Sequence, residues 1–339
     1  MVSDAVSCGR CAITTHDVAT LEVPADTTDG FPVSVRVDSQ ARYWVFRRGD
    51  MPAVFSSRGA FLRVLGRPGN GPGEYQQPYD LLLIGRDTLL VLDGNGRRGT
   101  FLEPALTPVG YTRLPLELHN PVIVSWPDAV MGSGAMPFRE EAGPLYHLSF
   151  RAHDAQVVRQ FHPRDVDVDP ATMLLTIQEL STPRNGRFWS AWERNYDLTQ
   201  HAANGTPLRT IERRPSWFNR PSPMNYNWRN EPPPPLIAAI EEDREGLVWV
   251  FIHVAGPDWR AAWPKVGPHQ HEVPGRFIAT EKLWTTTVEV LDPRHNRVVA
   301  RSPLGGYVIN ALPDRRVAVY EEDENGARVR VVELVLLGR

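Results

Sequence analysis

The chain has 339 residues, 42% of them hydrophobic, with 37 basic and 40 acidic side chains and a net charge of −3. That apolar share supports a folded core and excludes the composition of a disordered chain. The near-balance of charge argues against a nucleic-acid surface, which carries a basic excess. No apolar run reaches the roughly 20 residues of a membrane-spanning helix.

The first feature in chain order is Cys8-Gly-Arg-Cys11, which holds the only two cysteines. The pair is either a small disulfide loop of an oxidising compartment or two free thiols near a mobile terminus. Two thiols alone cannot complete a four-cysteine zinc site. The abrupt start at Met1-Val2-Ser3 reads as an exported protein whose leader has been removed, and so predicts a periplasmic or extracellular location. Residues 1–11 read as a tail ahead of a single domain spanning 12–339.

From Val33 onward one pattern recurs: four short strands separated by turns. Copies run over 33–66, from Tyr79, over 121–162, 173–212, 235–302 and 307–337. Hairpin chemistry marks the turns, with Asn-Gly at 185–186, 204–205 and 325–326 and Arg-Gly at 58–59. Helical periodicity is almost absent. The expected fold is all-β: a six-bladed β-propeller of four-stranded antiparallel blades. The last copy supplies three strands, and the segment 12–23 has no partner of its own. It is expected to supply the outer strand of the last blade and close the ring.

The stretch Gly66–Tyr75 is rich in Gly and Pro but is no phosphate loop. It ends in Gly-Glu-Tyr where a Walker motif needs Gly-Lys-Ser/Thr, and no helix follows. Instead, Gly71-Pro72-Gly73-Glu74-Tyr75 with Pro78, followed by Asp93, Gly96 and Arg97, resembles the NHL-like six-bladed β-propeller proteins of bacteria. The similarity covers residues 33–102. It implies the propeller fold and an exported location, and it implies no particular reaction.

Propeller geometry turns loop lengths into a map. Loops between the second and third strands of a blade share one face with loops between blades. The long segments 66–78, 131–144, 162–170, 213–235 and 255–284 all fall in that set, so one face is elaborated. Its candidate ligand-binding residues are Glu74, Tyr75, His119, Arg139, Trp217, Tyr226, Trp228, Trp259 and Trp263, with Arg213, Arg214, Arg220 and Arg229 as planar donors. The competing explanation for the tryptophans is that they fill small cores beneath the loops.

Other chemistry is weaker. His269 and His271 lie two residues apart and would suit a divalent cation, with His119 or His253 as a third ligand. Asp165, Asp167 and Asp169 resemble the start of a calcium loop, but Pro170 and Thr176 break that pattern. Ser133 in Gly-Ser-Gly lacks a nucleophile elbow. The pairs Glu140–Glu141 and Glu241–Glu242 read as solvated charge. The functional expectation is a monomeric binding module for a small molecule, glycan or peptide, with no cofactor and no nucleic-acid partner. The alternative is a metal-assisted hydrolase or lyase with its cation at the central mouth.

Overall fold

Strand-forming runs alternate with Gly, Asn and Asp turns along the whole chain. The computed structural model arranges them as six four-stranded antiparallel blades. It describes residues 2, 4–22, 31–84, 87–94, 97–115, 118–125, 128–133, 145–151, 154–161, 178–218, 231–262, 280–323 and 326–339.

Strand β1 (Ala12–Leu21) precedes the first blade, which comprises β2 (Pro32–Val37), β3 (Tyr43–Arg47), β4 (Ala53–Phe55) and β5 (Phe61–Val64). The link to blade 2 holds two short parallel strands, β6 (Arg67–Pro68) and β7 (Glu74–Tyr75). Blade 2 is β8 (Pro78–Ile84), β9 (Thr88–Asp93), β10 (Arg98–Leu102) and β11 (Pro108–Arg113). Blade 3 is β12 (His119–Ser125), β13 (Ala129–Ser133), β14 (Leu145–Arg151) and β15 (Asp154–Phe161). Blade 4 is β16 (Gln178–Leu180), β17 (Arg187–Trp192), β18 (Asn195–Ala202) and β19 (Pro207–Glu212). Blade 5 is β20 (Leu236–Glu242), β21 (Val248–Ala255), β22 (Trp284–Asp292) and β23 (Arg297–Pro303), with one helical turn, α1 (Thr280–Leu283), before β22. Blade 6 is β24 (Tyr307–Leu312), β25 (Arg316–Asp323) and β26 (Gly326–Leu337).

The predicted closure is present. β1 pairs antiparallel with β26 from Ala12↔Leu337 to Leu21↔Val329, with a bulge between Asp17 and Ala19. It supplies the fourth strand of blade 6 and buries Ala19 and Leu21 against Val329 and Val331. The first strands of the blades, β2, β8, β12, β16, β20 and β24, each contact the next around a ring, and so form the axial wall. Apolar side chains on alternate positions fill the wedges between blades: Trp44, Phe46 and Val54 of blade 1, for example, pack on Leu81, Leu89 and Val91 of blade 2. Turn chemistry follows the sequence. Asn185 and Gly186 both take positive φ, 51° and 67°, which a two-residue hairpin requires.

The N-terminal segment is fastened to the domain rather than hanging from it. The Val2 N–H donates to the Glu212 carbonyl at 3.1 Å, and the Ser7 N–H and hydroxyl both donate to the Val298 carbonyl, at 2.8 and 2.7 Å. It therefore runs along the outer strands of blades 4 and 5 before entering β1. Cys8 and Cys11 form a disulfide with a Cα–Cα distance of 5.3 Å, which decides between the two alternatives for this pair.

Candidate functional site

Inner propeller strands are apolar where they meet neighbouring blades, so each polar side chain that interrupts them needs a partner. Five such residues lie at the axis, in two hydrogen-bonded groups. On β2, Arg36 reaches Asp80 of β8 through two parallel hydrogen bonds, Nε to Oδ1 at 2.7 Å and a terminal nitrogen to Oδ2 at 2.8 Å. The Ser34 hydroxyl donates to the same carboxylate at 2.8 Å. On the far side, the Asn120 amide of β12 donates to Glu179 Oε1 of β16 at 2.9 Å.

Burial pushes the Glu179 carboxyl well above the ordinary carboxylate range, and Glu193 adds to the effect, while the Arg36 guanidinium and the Asn120 bond pull it down. That Arg36 of blade 1 acts on Glu179 of blade 4, across a six-bladed ring, places both at the central channel. Glu193 lies in the turn between β17 and β18, and burial raises its carboxyl to about 7. Asp80 and Asn120 sit in the first half of their strands and Glu193 in a turn between second and third strands, which puts these three toward the face that bears the long loops, while Glu179 is the middle residue of β16 and Arg36 reaches in from the second half of β2. The arrangement can present two carboxyl groups, an amide and a pre-oriented guanidinium to one polar ligand. It couples two titratable carboxyls, a pattern frequent at functional sites.

The residues expected from the sequence distribute differently. The Glu74 carboxylate turns back on its own loop, accepting the Gly71 N–H at 2.7 Å and Arg67 Nε at 2.8 Å. Tyr75 is fully buried in the wedge between blades 1 and 2. Gly66, at φ +78°, makes room for it, since a Cβ there would sit 2.5 Å from the tyrosine ring. The Asp93 carboxylate pins the loop by accepting the Gln76 and Gln77 N–H groups, both at 2.8 Å. Arg98 donates to the carbonyls of Asn70, at 2.9 Å, and of Glu74. The signature is thus a brace for the connection between blades, and its working arginine is Arg98, whereas Arg97 takes a turn position at φ 42°.

Trp217 is half-buried against Tyr196 and Phe218. Its indole donates to Asp4 at 3.3 Å, and the Arg301 guanidinium lies 5.0 Å from its ring centre. Trp259 is 7% exposed in a cluster with Leu283 and Trp284, which is the loop-core alternative. His119 opens β12 opposite Ser133. Arg139, Tyr226, Trp228, Trp263, His269 and His271 lie outside the described residues, as do Asp165, Asp167, Asp169 and Glu140–Glu141.

Several sequence readings are corrected. Arg213 is no surface donor. It is 1% exposed and grips Glu289, itself fully buried, at 3.0 and 2.9 Å, with Tyr196 and Arg301 completing the carboxylate's shell. Glu241–Glu242 is not solvated charge: Glu241 is 3% exposed and accepts the Thr182 N–H at 3.1 Å, and Glu242 accepts the Trp189 indole at 2.7 Å. His253 is a core residue. Burial lowers it to about 4, one ring nitrogen sits 2.9 Å from the Val308 carbonyl, and the ring stacks 4.2 Å from Tyr307. Ser133 is buried and its hydroxyl accepts the Gln178 N–H at 3.0 Å. Among the described residues, no group of three His, Cys, Asp or Glu could hold a metal ion.

No protein-family model matches the chain, and no curated protein matches it. Solved structures do. A Bacteroides fragilis protein assigned as exported superposes with a TM-score of 0.61 at 10% identity, covering 98% of each chain. A Bacteroides vulgatus member of the DUF4221 family superposes with a TM-score of 0.62 at 10% identity, covering 96% of this chain and 99% of that one. Among the described residues no helix is long and apolar enough to cross a membrane. The shared feature is the fold: this chain is a six-bladed β-propeller of the architecture those proteins have.

Proposed function

We propose that the protein is an exported, NHL-like propeller that binds a small polar molecule, glycan or peptide at the mouth of its central channel on the loop-rich face. The observation that carries this reading is the axial cluster, in which Arg36 and Asp80 face Glu179 and Asn120 across the ring. Charged groups held this far from solvent cost folding energy unless they are paired, and clusters of perturbed carboxyls concentrate where ligands bind. The exported Bacteroides neighbour and the Gly71–Pro78 signature support the location and the family. A thermal-shift screen of sugars, peptides and metabolites tests the reading. Ligands that stabilise the wild type should lose their effect in Glu179→Gln and in Glu193→Gln, both folded. Equal shifts in both variants would move the site elsewhere.

The coupling of Glu179 to Glu193 favours a second reading, a hydrolase or lyase in which one carboxyl donates a proton and the other accepts one. His269 and His271 are proposed for its divalent cation. Turnover of a bound ligand, lost in Glu193→Gln with binding retained, would establish this reading over simple capture.

A further inference from the structure

The face opposite the long loops also carries a cavity. The first turns of blades 4, 5 and 6 enclose a space of about 330 Å³. Most acidic groups in its wall are already engaged. Asp243 accepts the N–H groups of Glu245 and Leu247, at 2.9 and 3.0 Å, and the Trp249 indole, at 2.9 Å. Asp314 pairs with Arg244 at 2.7 Å, and Glu245 pairs with Arg339.

Two arginines of the wall are not used up in this way. Arg184 donates from Nε to the Glu242 carbonyl at 3.1 Å, and its terminal nitrogens make no hydrogen bond among the described residues. The half-buried Arg315 guanidinium makes no hydrogen bond or ion pair among the described residues. Arg315 also stands at φ 59°, directly after Asp314 at φ 61°. Glycine or asparagine fills such a left-handed position at lower cost than arginine. The turn thus places a long cation where backbone preference alone would not. One further carboxylate, Glu333, completes the wall.

We propose that this cavity binds a small oxyanion, a carboxylate or a phosphate, gripped by Arg184 and Arg315, with Glu333 limiting the negative charge it accepts. Guanidinium groups arriving from two blades match the planar acceptor pairs of either anion. The site lies on the opposite face from the axial cluster and does not depend on it.

Calorimetric titration of the full chain with inorganic phosphate and, separately, with succinate, at constant ionic strength, tests this and distinguishes the two anions. Saturable binding of one or both is expected. Arg315→Gly should weaken it about tenfold or more, the effect of losing a charged hydrogen-bond donor, while melting no lower than the wild type because glycine suits the turn. Arg184→Gln should weaken it similarly, and Glu333→Gln should tighten it. Absence of saturable binding to either anion, wild-type affinity in Arg315→Gly, or weaker binding in Glu333→Gln would overturn the proposal.

Discussion

Asp38 accepts the indole N–H of Trp44, six residues on, at 2.9 Å. Its other oxygen accepts the Gln40 and Arg42 N–H groups, both at 2.9 Å. In blade 5, Asp243 and Trp249 repeat the relationship at the same spacing and the same 2.9 Å, with Glu245 and Leu247 as the backbone donors. One carboxylate thereby fixes the first turn of a blade and the orientation of a large core ring. Asp243 is 5% exposed, so Asp243→Ala strands three donors at once. The expected loss is about 2–4 kcal/mol in urea unfolding. Asp243→Asn keeps an acceptor oxygen and should lose less.

The blade count was readable in the sequence, because a set of short strands separated by Gly, Asn and Asp turns recurs six times, whereas the Asp-to-Trp contact emerges only in the fold. The closure by β1 followed from counting strands. The axial cluster was not readable. Arg36, Asp80, Asn120 and Glu179 come from four separate inner strands, far apart in the chain, and only the ring brings them together. The signal available was a polar residue between apolar ones, as in Val-Arg-Val around Arg36. Arg213 and the Glu241–Glu242 pair were misread for the opposite reason: their local surroundings look like loop or surface charge, and burial comes from distant Glu289 and Trp189.

Glu241 makes stability pH-dependent. Burial raises its carboxyl to about 7 from an ordinary 4.5. Between those values the folded state holds the proton more tightly than the unfolded state does. Stability therefore falls as pH rises from about 4.5 to 7, and the full penalty is present above that window. Glu179 and Glu193, also raised, act in the same direction. The three raised carboxyls outnumber His201 and His253, which burial lowers and which act in the opposite direction, so the wild-type melting temperature should still decline across this range. Glu241→Gln, whose amide oxygen still accepts the Thr182 N–H, should flatten the slope and melt higher at pH 8. An unchanged slope in that variant would mean that Glu241 titrates normally.

The Arg36–Asp80 pair ties blade 1 to blade 2 with little access to water, the Asp80 side chain being 4% exposed. Arg36→Met leaves that carboxylate buried without its cation and is expected to cost about 3–5 kcal/mol. It also removes a charge that holds Glu179 down, so the Glu179 carboxyl should move further up. The double variant Arg36→Met/Asp80→Leu should lose less than Arg36→Met alone, because no unpaired charge remains. A double-mutant cycle in urea measures that coupling, and additive losses would show that the pair is not a unit.

The ring is closed by hydrogen bonds between β1 and β26, so its integrity depends on a strand from one end of the chain finding a strand from the other. Deleting residues 1–23 exposes the edge of β26 and uncovers the apolar residues that β1 protects, including Val329 and Val331. The expected product unfolds without a cooperative transition. The disulfide is a lesser contributor. Its loop is only a few residues long, and the chain-entropy argument assigns it about 2 kcal/mol at most, so Cys8→Ser/Cys11→Ser should fold and melt modestly lower. Because Ala12 lies opposite Leu337, the two ends of the ring are neighbours. A circular permutant that joins them with a short Gly-Ser linker in place of residues 1–11 and opens the chain between blades 4 and 5, within 219–230, keeps every pairing described among β1 to β26. It should fold with wild-type cooperativity in calorimetry, whereas the 1–23 deletion should not. If both fold equally well, β1 is an accessory strand and the ring is held by the wedges between blades alone.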